Sequence, residues 1–163
     1  MSWAIRICRA KPNPAGKDSG PGANKEQQLL GEWVDLQNTG DGAVRLSSLH
    51  LCDNQFSQFC ALIKENVIYW NGRADQILSP GQVVRVHTGK SSYSLYMLSG
   101  DSSGVHLHAY AESGNFILNN RCGDTISVYW KGEDGAWHFE DKAKYAPNVP
   151  DGKILLRQGE WLV

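Results

Sequence analysis

The sequence predicts an all-β domain, and three observations carry that prediction. Apolar and polar residues alternate in short runs, as in Ile5-Arg6-Ile7, Val34-Asp35-Leu36 and Ile126-Ser127-Val128, which is the period-2 pattern of a half-buried strand. Turn-forming stretches separate these runs, among them Asn38-Thr39-Gly40-Asp41-Gly42, Ser79-Pro80-Gly81 and Lys131-Gly132-Glu133-Asp134-Gly135. Seventeen Gly, six Pro and a 41% apolar content suit a domain with many turns.

In chain order, Trp3, Ile5 and Ile7 share one face of the first strand, with Arg6 on the other. Residues 10–28 contain Pro12, Pro14, Gly16, Gly20, Pro21 and Gly22 and almost nothing apolar, which predicts a long loop. Val34 with Leu36 and Val44 with Leu46 point inward from the next two strands. After Ser47-Ser48 the inward positions become Leu49 and Leu51, so a bend or bulge is expected there. Residues 53–79 read as a hairpin with long arms. Pro80-Gly81 turns the chain, and Val84 and Val86 line the core side of the strand that follows. Ser94–Leu98 and Val105–Tyr110 flank a Ser/Gly/Asp cluster and read as an extra hairpin. Ile126, Val128 and Trp130 alternate, and Trp137 and Phe139 return as their partner strand. Residues 147–163 read as a C-terminal extension that adds an edge strand at Ile154-Leu155-Leu156.

The 163 residues suffice for one packed domain, and no apolar run approaches the roughly 20 residues of a membrane span. A formal net charge of −1 does not favour nucleic acid or an acidic membrane as partner. The first 26 residues are modestly basic through Arg6, Arg9, Lys11, Lys17 and Lys25, which reads as a solvated face. The chain starts with alternating residues rather than the apolar block of a secretory signal, and it has no Asn-x-Ser/Thr acceptor. Cytoplasmic residence is therefore expected. Cys8, Cys52, Cys60 and Cys122 contain no CxxC pair; four free thiols are expected, although two disulfides in any of three connectivities are formally open.

The run from Gly31 to Leu46, preceded by Asn13-Pro14-Ala15-Gly16-Lys17-Asp18 and followed by Leu78-Ser79-Pro80-Gly81-Gln82-Val83-Val84 and Asn119-Asn120-Arg121-Cys122-Gly123-Asp124-Thr125, resembles the lamin tail domain family. The resemblance spans about residues 3 to 146, so 1–146 is expected as the lamin-tail-like domain and 147–163 as the extension. It implies an immunoglobulin-like β-sandwich of two antiparallel sheets, here carrying the extra hairpin insertion. It further implies a non-catalytic module that binds proteins and, in lamins, DNA or chromatin. Lamin-tail-like sequences usually have Gly at the strand break, where Ser48 stands here. The heptads of a rod and a C-terminal prenylation signal are both missing from the sequence.

Two patterns could carry chemistry. Gly100-Asp101-Ser102-Ser103-Gly104 satisfies G-x-S-x-G, but a nucleophile elbow needs a helix after the serine and residues 105–110 read as a strand. His106 and His108 share a strand face and are the candidate metal ligands, with Asp101, Glu112 or Cys122 as a third; His50 and Cys52 repeat the spacing. Asp18, Asp35, Asp41 and Asp53 lie in or near turns, where a local structural role is expected rather than calcium binding. Trp70, Trp137 and Trp161 are the candidates for an exposed aromatic anchor. The expectation is thus a non-enzymatic module with a protein partner and without catalytic residue, cofactor or metal. The alternative is a hydrolase or metal-binding protein built on Ser102 or the His106/His108 pair.

Overall fold

The computed structural model describes residues 2–14 and 24–163. Among these residues, β1 (Ile5–Lys11) leads to α1 (Lys25–Leu30), β2 (Trp33–Asn38), β3 (Val44–Arg45), a 3-10 turn (Leu46–Ser48), β4 (Leu49–Phe56) and β5 (Leu62–Asn71). Then come β6 (Ile77–Leu78), β7 (Val83–His87), a 3-10 stretch (Ser91–Tyr96), α2 (Ser99–Ser102) and β8 (Leu107–Tyr110). The chain closes with β9 (Asp124–Lys131), β10 (Trp137–Tyr145), β11 (Leu155–Gln158) and β12 (Trp161–Leu162).

The protein is all-β. Ten strands form one continuous sheet in the order β5-β4-β9-β10-β12-β11-β1-β2-β7-β8, and β3 pairs with β6 in a separate two-stranded sheet. Two pairings in the large sheet, β10 with β12 and β7 with β8, are parallel. The inward residues of both halves meet in one core: Ile5, Ile7, Val34, Leu36, Val84 and Val86 from one side, Leu49, Leu51, Ile126 and Val128 from the other. These are the positions that alternation places inside. The 3-10 turn at Leu46–Ser48 supplies the expected change of phase, since it lets Leu46 and then Leu49 both point inward.

The halves are joined by β11, which pairs with β1 through Arg9↔Leu156 and with β12 through Arg157↔Leu162. Expected as an edge strand, it is hydrogen-bonded on both sides. Where β1 and β10 come together without a ladder, side chains take over. The Ile5 N–H donates to Glu140 Oε2 at 2.7 Å and the Ile7 N–H to Asp141 Oδ2 at 2.8 Å. Arg157 bridges the same gap, donating to the Asp141 carboxylate and to the Ile7 carbonyl. Unpaired buried backbone groups are costly, so these side chains stand in for the missing strand contacts.

The register of β10 on β9 slips between Phe139 and Asp141. Ala143 and Tyr145 therefore point into the core, while Trp137 and Phe139, of the same parity, face out.

Three expectations need correction. The extra hairpin is not one: Ser91–Tyr96 is a 3-10 stretch, Ser99–Ser102 is helical, and only Leu107–Tyr110 is a strand, parallel to β7. The loop expected over 10–28 is shorter at both ends: β1 runs to Lys11 and α1 starts at Lys25, while residues 15–23, with Lys17 and Asp18, lie outside the described residues. The four free thiols are also overturned, because Cys60 and Cys122 form a disulfide and leave Cys8 and Cys52 free. Gly123 makes that bridge's turn possible. Its φ is +74°, and a Cβ there would lie 2.5 Å from the Tyr145 carbonyl oxygen.

Candidate functional site

The residues singled out for chemistry lie mostly against the outer face of the β1-β2-β7-β8 half. There Trp33, Asp35, Arg85 and His87 form a polar layer that α1 and residues 91–106 cover. Arg85 grips Asp35 with two bonds, Nε to Oδ1 at 2.7 Å and Nη2 to Oδ2 at 2.9 Å, and Arg9 adds a third at 2.9 Å. The Arg85 guanidinium also stacks 3.6 Å above the Trp33 ring and donates to the carbonyls of Asp101 and Ser103. Asp101 accepts from Lys11 at 2.7 Å and from the Trp33 indole at 2.9 Å. Asp101 thereby pins α2 to the sheet.

Ser102 and the histidines are occupied in this same packing. The Ser102 hydroxyl donates to the Ser99 carbonyl. His108 contacts the Ser102 carbonyl at 2.9 Å through Nε2 and His87 Nε2 at 2.8 Å through Nδ1; His87 Nδ1 meets the Leu30 carbonyl at 2.6 Å. Burial lowers the His87 pKa to about 4 and also lowers that of His108. His106 lies outside β8, is exposed, and accepts from the Val83 N–H through Nδ1. Of the suggested third ligands, Asp101 is committed to Lys11 and Trp33, Glu112 caps Ser91, and Cys122 is in the disulfide. Asp41 accepts from the Ser2 N–H. Among the described residues no three His, Cys, Asp or Glu side chains gather in a metal-holding group.

A second buried site went unseen in the sequence. Asp53 and Asp124 hydrogen-bond to each other, and burial followed by the charge of Asp124 pushes the Asp53 carboxyl up to about 9. Burial raises the Asp124 carboxyl too, but only to about 6, because backbone donors oppose it: Asn54 and Thr125 to Oδ1 and Asn119 to Oδ2. One proton between two carboxyl groups satisfies both. The phenols of Tyr69 and Tyr145 are pushed well above their usual value by burial, with these acids and Glu32 adding to it. The only signal in the sequence was the Asn119-x-x-x-x-Asp124 turn opposite Asp53.

The β4-β5 hairpin rises over this pair. A cleft of about 400 Å³ lies between it and residues 116–119, walled by Phe56, Ile63, Val67, Tyr69, Phe116 and Ile117, with Asp53 at its floor. The disulfide ties the hairpin tip to the turn carrying Asp124. β5 is the terminal strand of the sheet, so among the described residues one row of its backbone groups has no neighbouring strand. Around it Phe59 is 82% exposed and Ile63 66%, with Leu62 and Ile68 about half exposed. Of the proposed aromatic anchors, Trp70 is buried, whereas Trp137 and Trp161 are exposed. No protein-family model and no curated protein matches the chain.

Proposed function

We propose that the protein is a non-catalytic interaction module of lamin-tail type, an immunoglobulin-like sandwich whose two layers are the halves joined at β11, and that it recognises a protein partner through the β5 edge. The observation that carries this reading is the β5 edge, which no other strand among the described residues covers and which exposes Leu62, Ile63 and Ile68 on either side of Lys64-Glu65-Asn66. An extended peptide adding to it would gain backbone hydrogen bonds, while the cleft beside Ile63 and Val67 would take its side chains. The order of three stretches of the resemblance supports the family reading: Gly31–Leu46 spans β2 and β3, Leu78–Val84 runs into β7, and Asn119–Thr125 runs into β9. The enzyme alternative loses support because the Ser102 hydroxyl is spent on the Ser99 carbonyl, and the two His108 ring nitrogens on the Ser102 carbonyl and on His87.

No helix among the described residues is long and apolar enough to cross a membrane. A disulfide between Cys60 and Cys122 favours an oxidising compartment over the cytoplasm, where such bonds are reduced.

The test is comparative capture from the native host. Wild-type bait and Ser102→Ala should retain the same protein, and Ile63→Lys should release it. Equal capture by all three, or none by the wild type, would sink the edge reading.

A further inference from the structure

The outward face of the other half of the sheet carries a groove that the edge reading does not use. About 470 Å³ in volume, it runs across β5, β4, β9 and β10 to residue 160. Its apolar floor is Tyr129 and Phe139, whose rings meet edge to face at 5.9 Å. The platform extends beyond the groove: His50 tilts against Tyr129 at 5.4 Å and stacks under Trp137 at 3.9 Å. Trp137 and Phe139 are 39% and 54% exposed, and as second neighbours on one strand face they sit roughly 7 Å apart. The β10 bulge at Glu140 is what turns this pair outward.

Polar groups stand around these rings: Glu65 and Glu160, Lys142 and Lys144, Asn54 and Asn66. The charges sum to zero. Neither glutamate nor Lys142 forms an ion pair among the described residues, and the Lys144 ammonium rests 4.6 Å over the Trp161 ring. His50 adds no charge at neutral pH, since burial lowers its pKa. An anionic strand would face both carboxylates, and a cationic peptide both lysines. A purely apolar segment would bury Glu65, Glu160 and Lys142 without ionic partners. What fits is a neutral ring with an apolar face to lie on an aromatic side chain and a rim of groups that each donate and accept.

We propose that this groove binds a neutral oligosaccharide, with pyranose rings stacked on Phe139 and Trp137 and their hydroxyls bonded by Glu65, Lys142 and the asparagines. The hydroxyl is the group that suits this rim, because it can donate to a carboxylate and accept from an ammonium at once.

The experiment uses the full chain and four neutral hexasaccharides, of glucose in β-1,4 linkage, N-acetylglucosamine, xylose and mannose, followed by tryptophan fluorescence and calorimetry. At least one should bind with saturable affinity. Phe139→Ala should weaken it by about tenfold or more, the loss of one ring contact, and Glu65→Gln should weaken it measurably, both at unchanged melting temperature. Ile63→Lys, which disables the β5 edge, should leave sugar binding intact, so the two proposals fail separately. No binding by any of the four, affinity indifferent to Phe139→Ala, or tighter binding of a decathymidylate than of the sugars would each overturn the proposal.

Discussion

Asp35 and Asp53 are both carboxylic acids with 5% exposure or less, on strands of the same sheet, yet they are neutralised in opposite ways. Asp35 is met by two guanidinium groups, with Arg85 clamping both of its oxygens. Asp53 is met by another acid and keeps a proton instead. The first acid is compensated by opposite charges, the second by giving up its own. Burial forces compensation but does not choose its form; neighbouring strands do, since Arg85 faces Asp35 across β2 and β7 while Asp124 closes the turn opposite Asp53.

The largest effect should come from breaking the first site. Arg85→Met keeps bulk over Trp33 but strands the Asp35 charge beside a single Arg9 whose side chain is 34% exposed, and should cost about 3–5 kcal/mol in urea unfolding. Arg85→Met combined with Asp35→Leu should recover most of that loss. Next, replacing Cys60 and Cys122 with Ser removes a link that spans 62 residues and should cost about 2–4 kcal/mol. Thiol counting in denaturant without reductant should find two free cysteines in the wild type; four would refute the bridge.

The third measurement separates the sites by pH. Asp53 ionises in the unfolded chain near its ordinary value but in the folded chain only at about 9. Its contribution is thus complete in acid and is lost progressively as pH rises towards 9. Stability should fall by about 2 kcal/mol between pH 6.5 and pH 8, one proton's worth. Asp53→Asn retains a donor for Asp124 and should abolish that fall. His87 works in the opposite direction: its pKa is depressed to about 4, so stability should drop as pH falls from about 6.5 towards 4. A wild-type profile flat above pH 6.5 would show Asp53 to be ionised. The smallest effect is assigned to Ser102→Ala, within about 0.5 kcal/mol, because the exposed hydroxyl makes one local bond.

Alternation revealed which side chains share a face, and so it identified the core from Ile5 to Val128. It could not reveal which faces would be covered. Asp35, Arg85 and His87 alternate with Val34, Val84 and Val86 just as solvent-facing residues do, and only the docking of residues 91–106 buries them. Asp53 reads as a turn residue until Asp124, 71 positions later in the sequence, is brought beside it. Trp137 and Phe139 share the parity of Ala143 and Tyr145, so without the unannounced slip at Glu140 the groove's aromatic floor would read as core. Ser102 and His108 were visible as residue types, but their use depends on carbonyl groups that no side-chain motif records.

β11 also imposes an order in time. β1 finds β2 as soon as residue 38 is made, but its other edge waits for Leu156 and for the carboxylates of Glu140 and Asp141. At ribosomal rates of about 5–20 residues per second that wait lasts roughly 6 to 24 seconds. Throughout it, the Ile5 and Ile7 amides present an open strand to any neighbouring nascent chain. Dense polysomes are therefore where this protein is most exposed to mispairing, and slower translation between β2 and β11 would lengthen the hazard.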